Sequence, residues 1–268
     1  MRRLFFAFCT VLLIVTPALS QRGRGNQEST DNFRFRFVGP RAGNRIASVA
    51  GVAGDVNTYY AGAASGGIFK SVDGGFDWTP IFDEQPVTAI GSLAVAPSNP
   101  SIVWAGTGEA WAIRDSDVTG NGIYKSIDAG RTWTHMGLDE TGRIGRIVVH
   151  PTNSNIVFAC ALGRLTGPQE ERGVFRTTDG GEHWERVLFV DKTTGCSGLS
   201  MDAKNPQKLM VGTWQVEMHT YAELSGGAGS GVYMSRDGGS TWNRMSNGLP
   251  KSPVGKTDVA YTPLAQRP

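Results

Sequence analysis

Apolar residues in this chain fall in short runs broken by Gly, Asn, Pro and Asp. That pattern predicts short strands and tight turns rather than helices. The clearest unit is an apolar run at 92–96, a turn at Pro97-Ser98-Asn99-Pro100 and a second run at 102–105. It recurs at 147–151 with 156–159, and at 199–201 and 209–211 around Asn205-Pro206. A looser copy covers 46–52 and 58–61. Each pair of runs is followed by glycine, a β-branched residue and an aromatic: Gly67-Ile68-Phe69-Lys70, Gly122-Ile123-Tyr124-Lys125, Gly173-Val174-Phe175-Arg176 and Gly231-Val232-Tyr233-Met234. These predict a third strand in every unit.

Every unit then reaches Ser/Thr-x-Asp-x-Gly-x-x-Trp. The four copies are Ser71, Asp73, Gly75 and Trp78; Ser126, Asp128, Gly130 and Trp133; Thr177, Asp179, Gly181 and Trp184; and Ser235, Asp237, Gly239 and Trp242. They start 55, 51 and 58 residues apart, whereas ordinary residue usage gives a match on the order of once per 10⁵ positions. The carboxylate is suited to accept from amides of its own turn and the glycine to supply a positive φ, with the indole capping the hairpin. These residues are therefore expected to be structural, since an active site needs one special constellation and not four equal ones. A fourth strand is expected from each Trp. Four antiparallel strands per repeat of ~50 residues describe a propeller blade, which buries its faces only against neighbouring blades. The predicted fold is all-β: a β-propeller of four-stranded antiparallel blades at about 33–85, 86–140, 141–191 and 192–250. A stub at 251–268 opens like another first strand at 259–261. Either the four blades close a small ring, helped by the run 33–38, or the ring is incomplete; the interrupted stub favours the second.

Composition agrees with this reading. There are 36 glycines in 268 residues, and charged residues make up 19% against a usual ~25%. Residues 1–20 read as a secretory signal, with Arg2 and Arg3, an apolar run over 4–15 and Ala18-Leu19-Ser20. Cleavage is expected after Ser20, with 21–32 as linker and a secreted or periplasmic destination. Removing Arg2 and Arg3 from the 26 basic residues leaves 24, equal to the 24 acidic ones. A neutral chain with no basic stripe offers no footprint for nucleic acid, and nothing in the mature chain predicts membrane insertion. Cys160 and Cys196 are as readily two buried thiols as a disulfide. The four histidines stand at no ligand spacing, so neither a metal nor a cofactor is expected.

With these motifs the chain resembles Asp-box (BNR) propellers, in particular the sortilin N-terminal type and its bacterial exported relatives of glycosyl-hydrolase-like kind. The resemblance covers about residues 33–250. In the xyloglucan-cleaving hydrolases of this group a catalytic Asp stands two residues before a Gly-Gly pair; here Gly66-Gly67 has Ala64 at that place. The sialidases' early Phe/Tyr-Arg-Ile-Pro motif has only a weak echo in Phe35-Arg36-Phe37-Val38.

Candidate ligand contacts lie on the loops joining second and third strands, which are long at 107–121, 162–172 and 213–230. They carry Glu109, Trp111, Arg114, Asp115 and Asp117, then Arg164 and Arg172, then Trp214 and Glu217. Asp115 and Asp117 offer oxygens to a calcium ion but lack the rest of an EF-hand loop. No catalytic residue is assigned. The expected role is a binding or scaffold module for a peptide, protein or glycan, with further blades or a second chain needed for closure. The alternative is a glycoside hydrolase whose second carboxylate lies outside these blades.

Overall fold

The computed structural model describes residues 39–41, 45–111 and 118–262. The expected signal peptide, linker and 33–38 run lie outside the described residues, as do Arg114, Asp115 and Asp117.

Four antiparallel sheets follow one another along the chain. Blade 1 is β1 (Ile46–Val52), β2 (Asp55–Ala63), β3 (Ile68–Ser71) and β4 (Thr79–Pro80); blade 2 is β5 (Ile90–Val95), β6 (Val103–Thr107), β7 (Ile123–Ser126) and β8 (Thr134–His135). Blade 3 is β9 (Ile144–Val149), β10 (Val157–Ala161), β11 (Gly173–Thr177) and β12 (Glu185–Leu188). Blade 4 is β13 (Thr194–Met201), β14 (Leu209–Met218), β16 (Gly231–Ser235) and β17 (Asn243–Met245), with β15 (Glu223–Ser225) added on β14. The only helical element among the described residues is a 3-10 turn, Asp139–Thr141. Within every blade the strand order is sequential, and the first strands pack in chain order, β1 on β5, β5 on β9 and β9 on β13. This is an Asp-box β-propeller whose ring is not closed.

The core sits between blades. One buried cluster joins Tyr60 and Ile68 of blade 1 to Ile90 and Leu93 of blade 2. A second joins Trp104 and Ile123 to Ile144 and Ile147, and a third joins Phe158 and Val174 to Leu199 and Val211. Burying such a side chain contributes about 1.5–3 kcal/mol, which a blade obtains only from its neighbour.

The boxes share one hydrogen-bond pattern. In blade 2 the Ser126 hydroxyl donates to Asp128 at 2.7 Å and accepts from the Gly130 amide at 2.8 Å, while Asp128 also accepts from the amide and hydroxyl of Thr132. Ser71 and Asp73, Thr177 and Asp179, and Ser235 and Asp237 repeat the hydroxyl-to-carboxylate and amide-to-hydroxyl bonds, and each acid also accepts the amide four residues on, from Asp77, His183 and Thr241. The indoles divide. Trp78 and Trp242 donate to carbonyls of their own boxes, Gly75 and Gly239. Trp133 and Trp184 instead reach back to the preceding blade, donating to Ile81 and Met136 at 2.8 Å. A second latch runs forward: Lys70, Lys125 and Arg176 donate to the box carbonyls of Ala129, Gly180 and Gly238 in the next blade, at 2.9, 2.8 and 2.8 Å.

The box carboxylates are held below their usual range. For Asp237 the Thr241 hydroxyl and amide, then Ser235, bring the pKa down to about 2. Asp128 is held lower still, first by Thr132, and Asp179 first by the His183 amide. A carboxylate with a depressed native pKa stabilises fully above its unfolded value of about 4 and loses that contribution as pH falls through the native value. Thermal melts are therefore expected to fall steadily from about pH 4 to pH 2, and replacing the four box aspartates by asparagine to flatten that slope. An equally steep slope in the quadruple variant would remove the boxes as its cause.

Candidate functional site

At the ends of the second strands, away from the boxes, the segment after blade 4 meets the first long loop and β14, and loop 162–172 packs against β14. Gly108 begins the first loop at φ 82, where a Cβ would stand 2.0 Å from the Gly142 carbonyl. That close approach requires glycine, and it turns the next residue, Glu109, inward. Glu109 is buried, and Arg45 grips both of its carboxylate oxygens through Nε and Nη2. Two residues on, the Trp111 indole stands exposed.

The loop expected over 213–230 is in part strand. β14 runs on through Met218, and Val216, Glu217 and Met218 pair with Ser225, Leu224 and Glu223 of β15. Trp214 and Glu217 thus sit on a rigid element; Trp214 is buried and its Nε1 donates to the Ser225 hydroxyl at 3.1 Å. Leu162 and Leu165 of the neighbouring loop pack with Trp214, Val216 and Met218 in a separate apolar cluster.

Lys256 links the two indoles. Its Nζ lies 5.7 Å from the Trp111 ring centre and 5.4 Å from that of Trp214, and donates to the Ala110 carbonyl at 3.3 Å. An ammonium over aromatic faces is attracted by the ring quadrupole, more strongly when desolvated. Lys256 is exposed as a residue, and partial desolvation of its ammonium lowers its pKa, opposed by Asp258.

Arg172 needs correction. Expected as a rim contact, it is fully buried and donates to the carbonyls of Thr193, Val216, Arg164 and Gly167 at 2.7, 3.2, 2.6 and 3.1 Å. It stitches loop 162–172 to β14 and offers nothing to solvent. Burial lowers its pKa to about 10, opposed first by Glu217, so it stays charged at neutral pH. Arg164 is exposed and pairs with Glu140 at 2.6 Å. The structure therefore brings Trp111 and Trp214 together around Lys256, holds Glu109 on Arg45, places Glu217 on β14, and leaves Arg164 apart on its own loop. Ala64, where a catalytic Asp stands in the hydrolases, is buried. Among the described residues the remaining cluster with metal-ligand chemistry is Asp179, Glu182 and His183. It is exposed, and Asp179 is already committed to its box.

Arg45 and Lys256 were not among the sequence candidates. Arg45 stands just before β1, and Lys256 lies more than a hundred residues from Trp111 in sequence, so no local pattern marks either. The two cysteines form a disulfide, β10 to β13, with Cα atoms 5.1 Å apart.

A family model described as Sortilin-Vps10, "Sortilin, neurotensin receptor 3", matches residues 121–257. The chain belongs to that family. Among curated proteins this member of the Sortilin-Vps10 family is similar to a xyloglucanase of a Paenibacillus species, 25% identical over 248 residues, covering 85% of this chain and 23% of that protein. It is also 25% identical over 215 residues to a xyloglucanase of Hypocrea jecorina, covering 69% of this chain and 24% of the other. The chain thus spans about a quarter of the length of these relatives. Among solved structures, an ancestral GH74 enzyme superposes with a TM-score of 0.60 at 21% identity, over 77% of this chain and 26% of that one. The GH74 xyloglucanase from Xanthomonas campestris gives 0.57 at 19% identity, over 78% and 31%. These likenesses show the propeller fold that family members share.

Proposed function

We propose that the chain is part of an exported, glycoside-hydrolase-like propeller that binds a glycan of xyloglucan type across the rim carrying Trp111, Trp214 and Lys256. The carrying observation is the lysine held between two indoles from different blades. An exposed indole face stacks on the apolar face of a pyranose ring, and the adjacent ammonium supplies hydrogen bonds to hydroxyls. Relatives named xyloglucanases support a sugar ligand. Export is supported by the Cys160–Cys196 bond, which suits an oxidising compartment.

A glycosidase places two carboxyl groups about 5–5.5 Å apart when retaining and about 6.5–9.5 Å when inverting. Glu109 has both oxygens on Arg45, whereas Glu217 is a half-buried acid on β14, three residues from Trp214. Titration calorimetry with xyloglucan oligosaccharides is expected to show binding that Trp111→Ala weakens about tenfold, the equivalent of ~1.4 kcal/mol. Wild-type protein that takes up no oligosaccharide, or a Trp111→Ala variant that binds as well, defeats the proposal. A reducing-sugar assay with Glu217→Gln then separates binding from turnover.

A further inference from the structure

The joint between blades 3 and 4 differs from the two before it. Ile90 of blade 2 lies over Gly62 of blade 1 and Ile144 of blade 3 over Gly106 of blade 2, so closely that a Cβ on either glycine would stand 2.5 Å from the isoleucine Cγ2. By register Cys160 and Cys196 hold the same two places in the next joint, where a covalent bond replaces the packing.

Both halves of that bond stand beside a hold on the segment after blade 4. Cys196 is followed by Ser197, where the pairing of β13 with β14 skips a residue, and the Ser197 hydroxyl donates to the Thr257 carbonyl at 2.6 Å. The skipped residue in the other blades is Ala47, Gly91 or Gly145, none of which has a hydroxyl. Gly198 admits Asp258 at close range, since a Cβ there would stand 2.9 Å from the Asp258 Cα. On the other side, Cys160 lies opposite Arg146, whose Nη2 is 3.8 Å from the Asp258 carboxylate, an exposed pair of modest strength. Thr257 and Asp258 directly follow Lys256, the cation set between Trp111 and Trp214.

We propose that closing the Cys160–Cys196 bond sets Lys256 between the two indoles, with Ser197 as the positioning residue, so that the rim becomes competent for its ligand only in the oxidised chain. This regulation rests on the glycan-binding reading of the rim for the identity of that ligand. On closure the two thiols give up two protons and two electrons, which a disulfide oxidant of the exporting compartment takes up as it leaves as two thiols. Both cysteines are fully buried, so the finished bond is shielded from solvent thiols and the change runs in one direction, upon export. With the bond open, the joint has neither a cross-link nor a seated isoleucine, and β13 shifts with Ser197.

The full chain folded with and without a dithiol tests this, beside Cys160→Ala/Cys196→Ala as a permanently open form. Amide exchange over residues 256–261, where the Tyr261 amide donates to Ser200 of β13 at 2.9 Å, is expected to quicken at least about tenfold in both open forms, with blades 1 and 2 unchanged. Xyloglucan-oligosaccharide affinity is expected to fall about tenfold alongside. Cys160→Gly/Cys196→Ile, which copies the joint of the other blades, is expected to give no response to dithiol. With the bond intact, Ser197→Ala is expected to quicken exchange over 256–261 without lowering the melting temperature, and Ser197→Thr to keep it native. Equal exchange over 256–261 in the oxidised and open forms overturns the proposal, as does a rise spread evenly over all four blades or a dithiol response in the Gly/Ile variant. Native exchange in Ser197→Ala removes Ser197 from the role. Quickened exchange in a chain whose oxidised form takes up no oligosaccharide defeats the glycan reading and leaves the positioning of Lys256 standing.

Discussion

Replacing Cys160 and Cys196 together by alanine is expected to lower the unfolding free energy by about 4 kcal/mol. A cross-link closing a loop of 36 residues removes that much chain entropy from the unfolded state on the loop-closure model. For a domain of this size the melting temperature should fall by roughly 10 °C. The location sharpens the expectation, because the bond joins β10 to β13 and so pins blade 3 to blade 4 rather than bracing a hairpin. Calorimetry of oxidised, reduced and double-alanine protein checks it. If reduction leaves the transition in place while the alanine pair lowers it, packing of the two buried side chains accounts for the loss and the cross-link does not.

Arg172→Met is expected to cost about 3–5 kcal/mol, because four carbonyls lose their donor inside the protein, where an unsatisfied polar group is costly. The loss should concentrate in loop 162–172, the turn at Thr193 and the distal half of β14, the three segments that the guanidinium joins. Trp214 lies between them, so glycan binding is expected to weaken along with stability. Arg172→Lys keeps the charge but presents its donors from one point rather than across a fork, and should fall between wild type and Arg172→Met. Thermal denaturation together with amide exchange across 162–172 gives the measurement. A Met variant that melts like wild type would show that the loop carbonyls find water instead.

The blades were legible in the sequence because their determinants are local. Asp128 bonds residues no more than four positions away, so the whole turn lies inside one eight-residue motif. Third strands announced themselves through Gly and β-branched residues just ahead of each box. What escaped depends on distant partners. Arg172 stands among Gly, Pro and Glu and reads as solvated, and only the convergence of four carbonyls from three separate segments reveals it as buried. Glu109 gave no sign of its partner Arg45, nor Trp111 of Lys256, since those contacts span blades. The disulfide was within reach. Superposing the repeats puts Cys160 in the column of Gly62 and Gly106, and Cys196 in the column of Ile90 and Ile144, which are the two columns in contact. Treating the cysteines as a pair in a long chain, rather than as letters in a repeat, hid their proximity. The 213–230 segment was misread for another reason: Glu223–Ser225 is too short a strand to show an alternating pattern of its own.

The forward latches give the row of blades a direction. Each lysine or arginine belongs to one blade and steadies the hinge turn of its successor, so damage at a cation is felt downstream first, while the blade that owns it keeps its own turn. Middle blades are gripped on two sides and the first on one. Under strain such an array should peel from blade 1 inward, leaving the covalently tied third and fourth blades as the last remnant.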